Sequence, residues 1–143
     1  MSTEAPSRTV ALPVPVGRVV MVGTVFGFAT GVVDLVVYGI GRLLGVPFLV
    51  QQPGGSGLAL VPWYAPLVVC LVAGVVGGLL ASLVRTLPSG PTWVMTVGLL
   101  LGVLSLASPL LQPADVGWAT RGWLVVMHVL AIVIIVPALS RGT

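Results

Sequence analysis

Four long apolar stretches, parted by clusters of proline and glycine, constrain this chain more than any other feature. They run from about Arg18 to Leu44, Trp63 to Val84, Thr92 to Leu111 and Gly122 to Leu139. About 20 apolar residues in a helix suffice to cross the hydrocarbon core of a bilayer. Inside that core every backbone polar group has to be satisfied within the element, which favours helices. Only 6% of the residues are charged against 57% hydrophobic, whereas a soluble domain carries roughly 25% charged residues. A water-soluble surface is therefore excluded. The expected fold is an all-α integral membrane protein, a four-transmembrane-helix bundle forming one domain over residues 18–143.

The segments between the spans read as breaks. Residues 1–17 are polar and proline-spaced (Pro6, Pro13, Pro15) and are expected to form a flexible tail. Residues 45–62 hold Pro47, Pro53, Gly54, Gly55, Gly57 and Pro62, and read as a loop, a short hairpin or a re-entrant piece. The short turn after Arg85 predicts that helices two and three are antiparallel neighbours. The first apolar stretch is too long for a signal-peptide core of ~7–15 residues and is expected to be a retained helix.

Charge sets orientation. There is no lysine, and six arginines face Glu4, Asp34 and Asp115. With the N-terminus cytoplasmic, Arg8, Arg18, Arg85 and Arg141 lie inside, and Arg42 and Arg121 outside. The positive-inside bias thus places both termini in the cytoplasm. The arginines are too sparse for a nucleic-acid surface. A chain rich in Gly, Ala, Val and Leu and lacking lysine has the composition of a GC-rich bacterial genome, and the cytoplasmic (inner) membrane is its expected location. Trp63, Tyr64, Trp118 and Trp123 are expected at the outer interface and Trp93 at the inner one.

Chemistry, if the chain performs any, centres on Asp34. A charge at mid-bilayer costs at least ~2.5–3.5 kcal/mol, so intramembrane ionisable residues face protein or trapped water. At ~100° per residue, Asp34 shares a face with Gly23, Gly27, Thr30, Gly31, Tyr38 and Gly41. Small residues on that face admit a close neighbour. Cys70, Gly74, Gly78, Ala81 and Arg85 line one side of the second span, and Gly98, Gly102 and Ser105 one side of the third. Such faces serve helix packing within the chain and a homo-oligomer equally well. Cys70, the one thiol, reads as structural.

His128, the one histidine, lies inside the fourth span. At ~1.5 Å rise per residue, Asp34 and His128 sit about 6 Å and about 4 Å outward of their helix midpoints, and so can be level. Tyr38, Arg42 and Arg121 lie further out. Together these residues predict a polar pocket in the outer half of the bundle, walled by aromatics. A structural Asp–His or Asp–Arg pair fixing helix register accounts for the same residues. Asp115 is placed to pair with Arg121, and Tyr64 and the tryptophans serve equally as interfacial anchors. A lone histidine and a lone thiol argue against a zinc site, and no nucleotide-binding or hydrolase motif occurs, so no metal or cofactor is expected.

The segment Met127-His128-Val129-Leu130-Ala131, with Ile135-Val136-Pro137-Ala138-Leu139 and Arg141, resembles a family of small actinobacterial four-span membrane proteins known as a domain of unknown function. The resemblance implies a polar, often amide, residue where this chain has Asp34. In size, span number and its one intramembrane acid the chain also resembles small bacterial membrane terpene cyclases of indole and other meroterpenoid pathways. That second resemblance implies proton-initiated cyclisation of a lipophilic prenylated substrate. Asp34 would be the general acid, His128 or Tyr38 the proton partner, and Trp63, Tyr64, Trp118 and Trp123, with Arg42 and Arg121, the substrate-binding rim. An ion-binding or transport component and a non-catalytic scaffold subunit are the competing expectations. Four helices are few for alternating access, so transport would require an oligomer.

Overall fold

The computed structural model describes residues 15–52, 54–55 and 57–142. The expected tail lies almost wholly outside them. The order of elements is α1 (Val16–Leu43), β1 (Leu49–Gln51), β2 (Leu58–Leu60), α2 (Ala65–Val84), α3 (Gly90–Ser105), α4 (Ala107–Leu110) and α5 (Trp118–Gly142). α1, α2, α3 together with α4, and α5 are each long and apolar enough to cross a membrane. The chain is a multi-pass helical membrane protein.

Local chemistry explains where these helices stop. After α1, Gly45 takes a φ of +82°, and its N–H donates to Arg42 while that of Val46 donates to Gly41. This pair of bonds is a Schellman cap, which favours glycine at the left-handed position. Pro66 and Pro91 occupy the first turns of α2 and α3, where a missing N–H costs nothing. Pro109 cannot donate to the carbonyl four residues earlier and its ring crowds it, which accounts for the break between α3 and α4 at Ser105.

Glycines set the packing. α1 and α2 run antiparallel in close contact, and a Cβ added at Gly23 would strike the Gly74 carbonyl oxygen. One at Gly27 would come within 2.6 Å of the Cys70 carbonyl oxygen, and one at Gly31 within 2.8 Å of the Leu67 Cα. The whole face of α1 expected from the helical period, Gly23, Gly27, Thr30, Gly31, Asp34, Tyr38 and Gly41, is buried. On α3, Gly98 and Gly102 seat Val136 and Ile132 of α5, their added Cβ atoms falling 2.8 and 2.6 Å from those side chains. These glycines are used inside the chain.

One expectation about neighbours is corrected. α2 and α3 are consecutive and antiparallel but scarcely touch. α2 gives its small-residue face to α1, and α3 gives its own to α5. The helices therefore follow the spatial order α2, α1, α5, α3, with a cleft between the outermost two.

Within the break expected at 45–62, Leu49–Gln51 and Leu58–Leu60 pair as an antiparallel hairpin, Leu49 opposite Leu60 and Gln51 opposite Leu58. It closes one end of the bundle, here termed the hairpin end. Phe48 is fully buried in a cluster with Tyr38, Val46 and Met127, flanked by Val61, Trp123 and Leu124. Its φ of +50° is a strained conformation for an aromatic residue, held by burial against Tyr38. A second cluster, Val19, Ala81, Val94, Ile135 and Leu139, fills the bundle toward the opposite, termini end.

Candidate functional site

Between the two clusters lies a cavity of about 390 Å³. Its walls come from α2, α3 and α5, and α1 contributes a single residue, Asp34. The lining is aliphatic except for Asp34, Cys70, Ser105 and His128. The volume falls within the range of small-molecule pockets, about 300–1,000 Å³, which are mostly apolar with a few convergent polar groups.

Asp34 is brought there by the glycine contact. The close approach of α1 and α2 leaves its side chain 2% exposed and opposite Cys70. The Cys70 thiol donates to Oδ2 over 3.2 Å. Oδ1 is buried and has no hydrogen-bond partner. A buried polar atom left unpaired is costly, about 1–3 kcal/mol, so evolution rarely leaves one without a use. A thiol is a weak donor, and the arrangement fixes which oxygen stays available.

His128 reaches the same cavity from α5. Its Nδ1 lies 2.8 Å from the Leu124 carbonyl oxygen. A carbonyl only accepts, so Nδ1 carries the hydrogen, and in the neutral ring Nε2 is the acceptor. Asp34 and His128 are not hydrogen-bonded to each other: Asp34 pairs with Cys70 and His128 with the Leu124 carbonyl. The two share a cavity wall.

The remaining residues expected at the site lie elsewhere. The Tyr38 hydroxyl donates to the Val61 carbonyl over 2.8 Å, and its ring stacks on Phe48 at 4.5 Å. Tyr38 therefore anchors the hairpin and does not line the cavity. Trp63, Tyr64 and Trp118 are 68%, 50% and 79% exposed, as lipid-interface anchors are. Trp123 packs beside the hairpin cluster. The expected aromatic wall is thus absent from the cavity, because these rings project from helix ends while the cavity lies among helix middles.

Both arginines at the hairpin end also have structural work. Arg42 donates to the Pro47 carbonyl over 3.1 Å. Arg121 is buried, donates to the carbonyls of Val116, Leu110 and Pro113, and lies over the Trp118 ring at 4.8 Å. It ties the loop after α4 to α5 and makes no ion pair with Asp115, contrary to the expected pairing. The carbonyls left free where α4 ends are nearer and better aligned for its fork of donors.

Cys70 is the participant that its residue type concealed. The signal lay in the helix faces. Matching the small residues of α1 and α2 in antiparallel register sets Cys70 beside Gly27 and within reach of Asp34. No curated protein and no solved structure matches the chain at a significant level. A family of unknown function (DUF6069) matches residues 14–143, almost the whole chain, and the protein belongs to that family.

Proposed function

We propose that this protein is a membrane-embedded enzyme that moves protons on a lipophilic, prenyl-type molecule and so isomerises or cyclises it. The observation that carries the reading is the Asp34 carboxyl, buried, with one oxygen unpartnered, on the wall of an apolar cavity that it shares with His128. A proton-initiated reaction needs an acid in a dry site and a base within the same site.

The steps balance without a cofactor. The Asp34 carboxyl O–H bond breaks as a C–H bond forms at an alkene carbon of the substrate. A second alkene attacks the resulting cation and closes a ring. A C–H bond next to the new cation then breaks, and its proton passes to His128 Nε2. The imidazolium returns that proton to the Asp34 carboxylate. Product and substrate have the same mass. Cys70 serves by holding Oδ2, which leaves Oδ1 to carry the reacting proton. Aromatic stabilisation of the cation has no place in this scheme, since the rings lie outside the cavity.

The test is conversion of a panel of linear prenylated compounds by the protein in liposomes. Wild type is expected to yield isomers of unchanged mass, and Asp34→Asn to reduce the rate by about 100-fold or more, the scale of general-acid catalysis. Full activity in the folded Asp34→Asn variant would sink the proposal. Failure of folded wild type to convert any compound would leave the cavity as a binding site in a transport or scaffold component.

A further inference from the structure

The cavity has direction as well as volume. At the hairpin end it is stopped by Val61, Leu124 and Met127, which belong to or pack on the Phe48 cluster. Toward the termini end its lining runs to Ala81, Val84, Val94 and Leu139, which belong to or pack on the second buried cluster. Sideways it faces the cleft where α2 and α3 scarcely touch. α3 is also the least buried span, with 11% of its apolar window inside the protein against 33% for α1.

The polar groups are not central. Cys70 lies one turn and a half into α2, near the hairpin end, with its thiol on Asp34, and His128 lines the same slot from α5. From Cys70 to Ala81, α2 rises about 16 Å, and α5 rises about the same from His128 to Leu139, at ~1.5 Å per residue. This stretch is aliphatic and measures about half of the ~30 Å hydrocarbon core. The shape is a blind slot, polar near one end, open along one side to lipid.

We propose that the slot takes a single-chain amphiphile sideways from the bilayer and measures its length. Its polar or reactive end lies at Asp34 and His128, and its tail runs between α2 and α3 toward the termini end, stopping on Ala81, Val94 and Leu139. Gly77 sets the usable depth. It lines the slot, and the nearest atom to an added Cβ there is the tip of the Leu139 side chain, Cδ1 at 3.1 Å. A Cβ at 77 thus meets a movable side-chain tip and no backbone atom within 4 Å, so a larger residue there intrudes on the slot beside Leu139. This inference rests on the site reading above for the position of the polar end.

The experiment uses geraniol, farnesol and geranylgeraniol as probes, with binding to the purified protein in detergent read by native mass spectrometry. For wild type, affinity is expected to rise with chain length up to the longest that fits, since each buried methylene contributes. Gly77→Leu is expected to weaken the longest alcohol that wild type binds well by about tenfold or more, and to leave geraniol unchanged. Thermal stability of Gly77→Leu equal to wild type establishes that it folds, and Ala73→Phe, which narrows the slot higher up, provides a second obstruction that should cut affinity for farnesol as well. Equal weakening of all three alcohols by Gly77→Leu, or no weakening of any, overturns the measuring slot. That result is separate from the Asp34→Asn turnover test, whose failure would overturn the chemistry while length selection stood.

Discussion

Asp34 and Cys70 form a pair in which the thiol is the weaker member and the carboxyl the one at risk. Removing the thiol in Cys70→Ala strips Oδ2 of its donor, and a loss of about 1 kcal/mol is expected, visible as a lower melting temperature in detergent. Cys70→Ser keeps a donor and should recover both stability and turnover. If Cys70→Ala retains full turnover, the thiol does not position the acid. Asp34→Asn keeps the shape and a hydrogen-bonding group, so its stability is expected to change by less than about 1 kcal/mol. A large loss of folded protein would make Asp34 a structural residue. Gly27, two turns before Asp34 on the same face, sets how near Cys70 can come. The helical period makes that face legible in the sequence, but which thiol or amide stood across from it was not. A period gives one helix its faces and says nothing of the partner facing it.

The α1–α2 contact depends on glycines meeting backbone, whereas those of α3 seat side chains of α5. Gly74→Leu would drive side-chain atoms into the Gly23 carbonyl and the Gly27 Cα. Overpacking of this kind costs about 1–3 kcal/mol even where side chains can yield, and here the obstacle is backbone. The expected outcome is a sharp fall in the yield of monodisperse protein. Gly39→Ala, where an added Cβ meets nothing within 4 Å, is the matched control and should behave as wild type. Comparable yields for the two would show that the α1–α2 contact is not needed. The hairpin is held by Phe48, and Phe48→Ala should cost about 3–5 kcal/mol. Hydrogen exchange would then rise in residues 46–61 before it rises in α2. Proline and glycine in this segment announced a break, and a hairpin was among the forms it could take. Its role as an end cap depended on Tyr38 and Trp123, which reach it from other helices.

At the scale of the molecule, an even number of spans places both ends of the chain on one face of the membrane. Arg18, Arg85 and Arg141 lie at the termini end, and Arg42 and Arg121 at the hairpin end. By the positive-inside rule the termini end is expected to face the cytoplasm. Single cysteines at Gly54→Cys and Gly142→Cys, probed in intact cells with a membrane-impermeant maleimide, provide the check. Labelling at 54 with protection at 142 is expected, and the reverse pattern would invert the topology. The native Cys70 is buried and lies within a span.

Four spans, their approximate limits and the buried face of α1 follow from the sequence alone, because hydropathy and helical period are properties of single segments. Helix neighbours are a different matter. In a bilayer, lipid tails are as apolar as the side chains, so the choice of partner rests on steric fit between faces. The sequence offers several small-residue faces without saying which meets which. Tertiary packing assigned α2 to α1 and α3 to α5, and so left the cleft between α2 and α3. It also drew Tyr38, Arg42 and Arg121 into anchoring the hairpin end, where free carbonyls compete for their donors. What remained at the cavity was the acid, the histidine and a thiol, set together by glycine contacts that no single segment encodes.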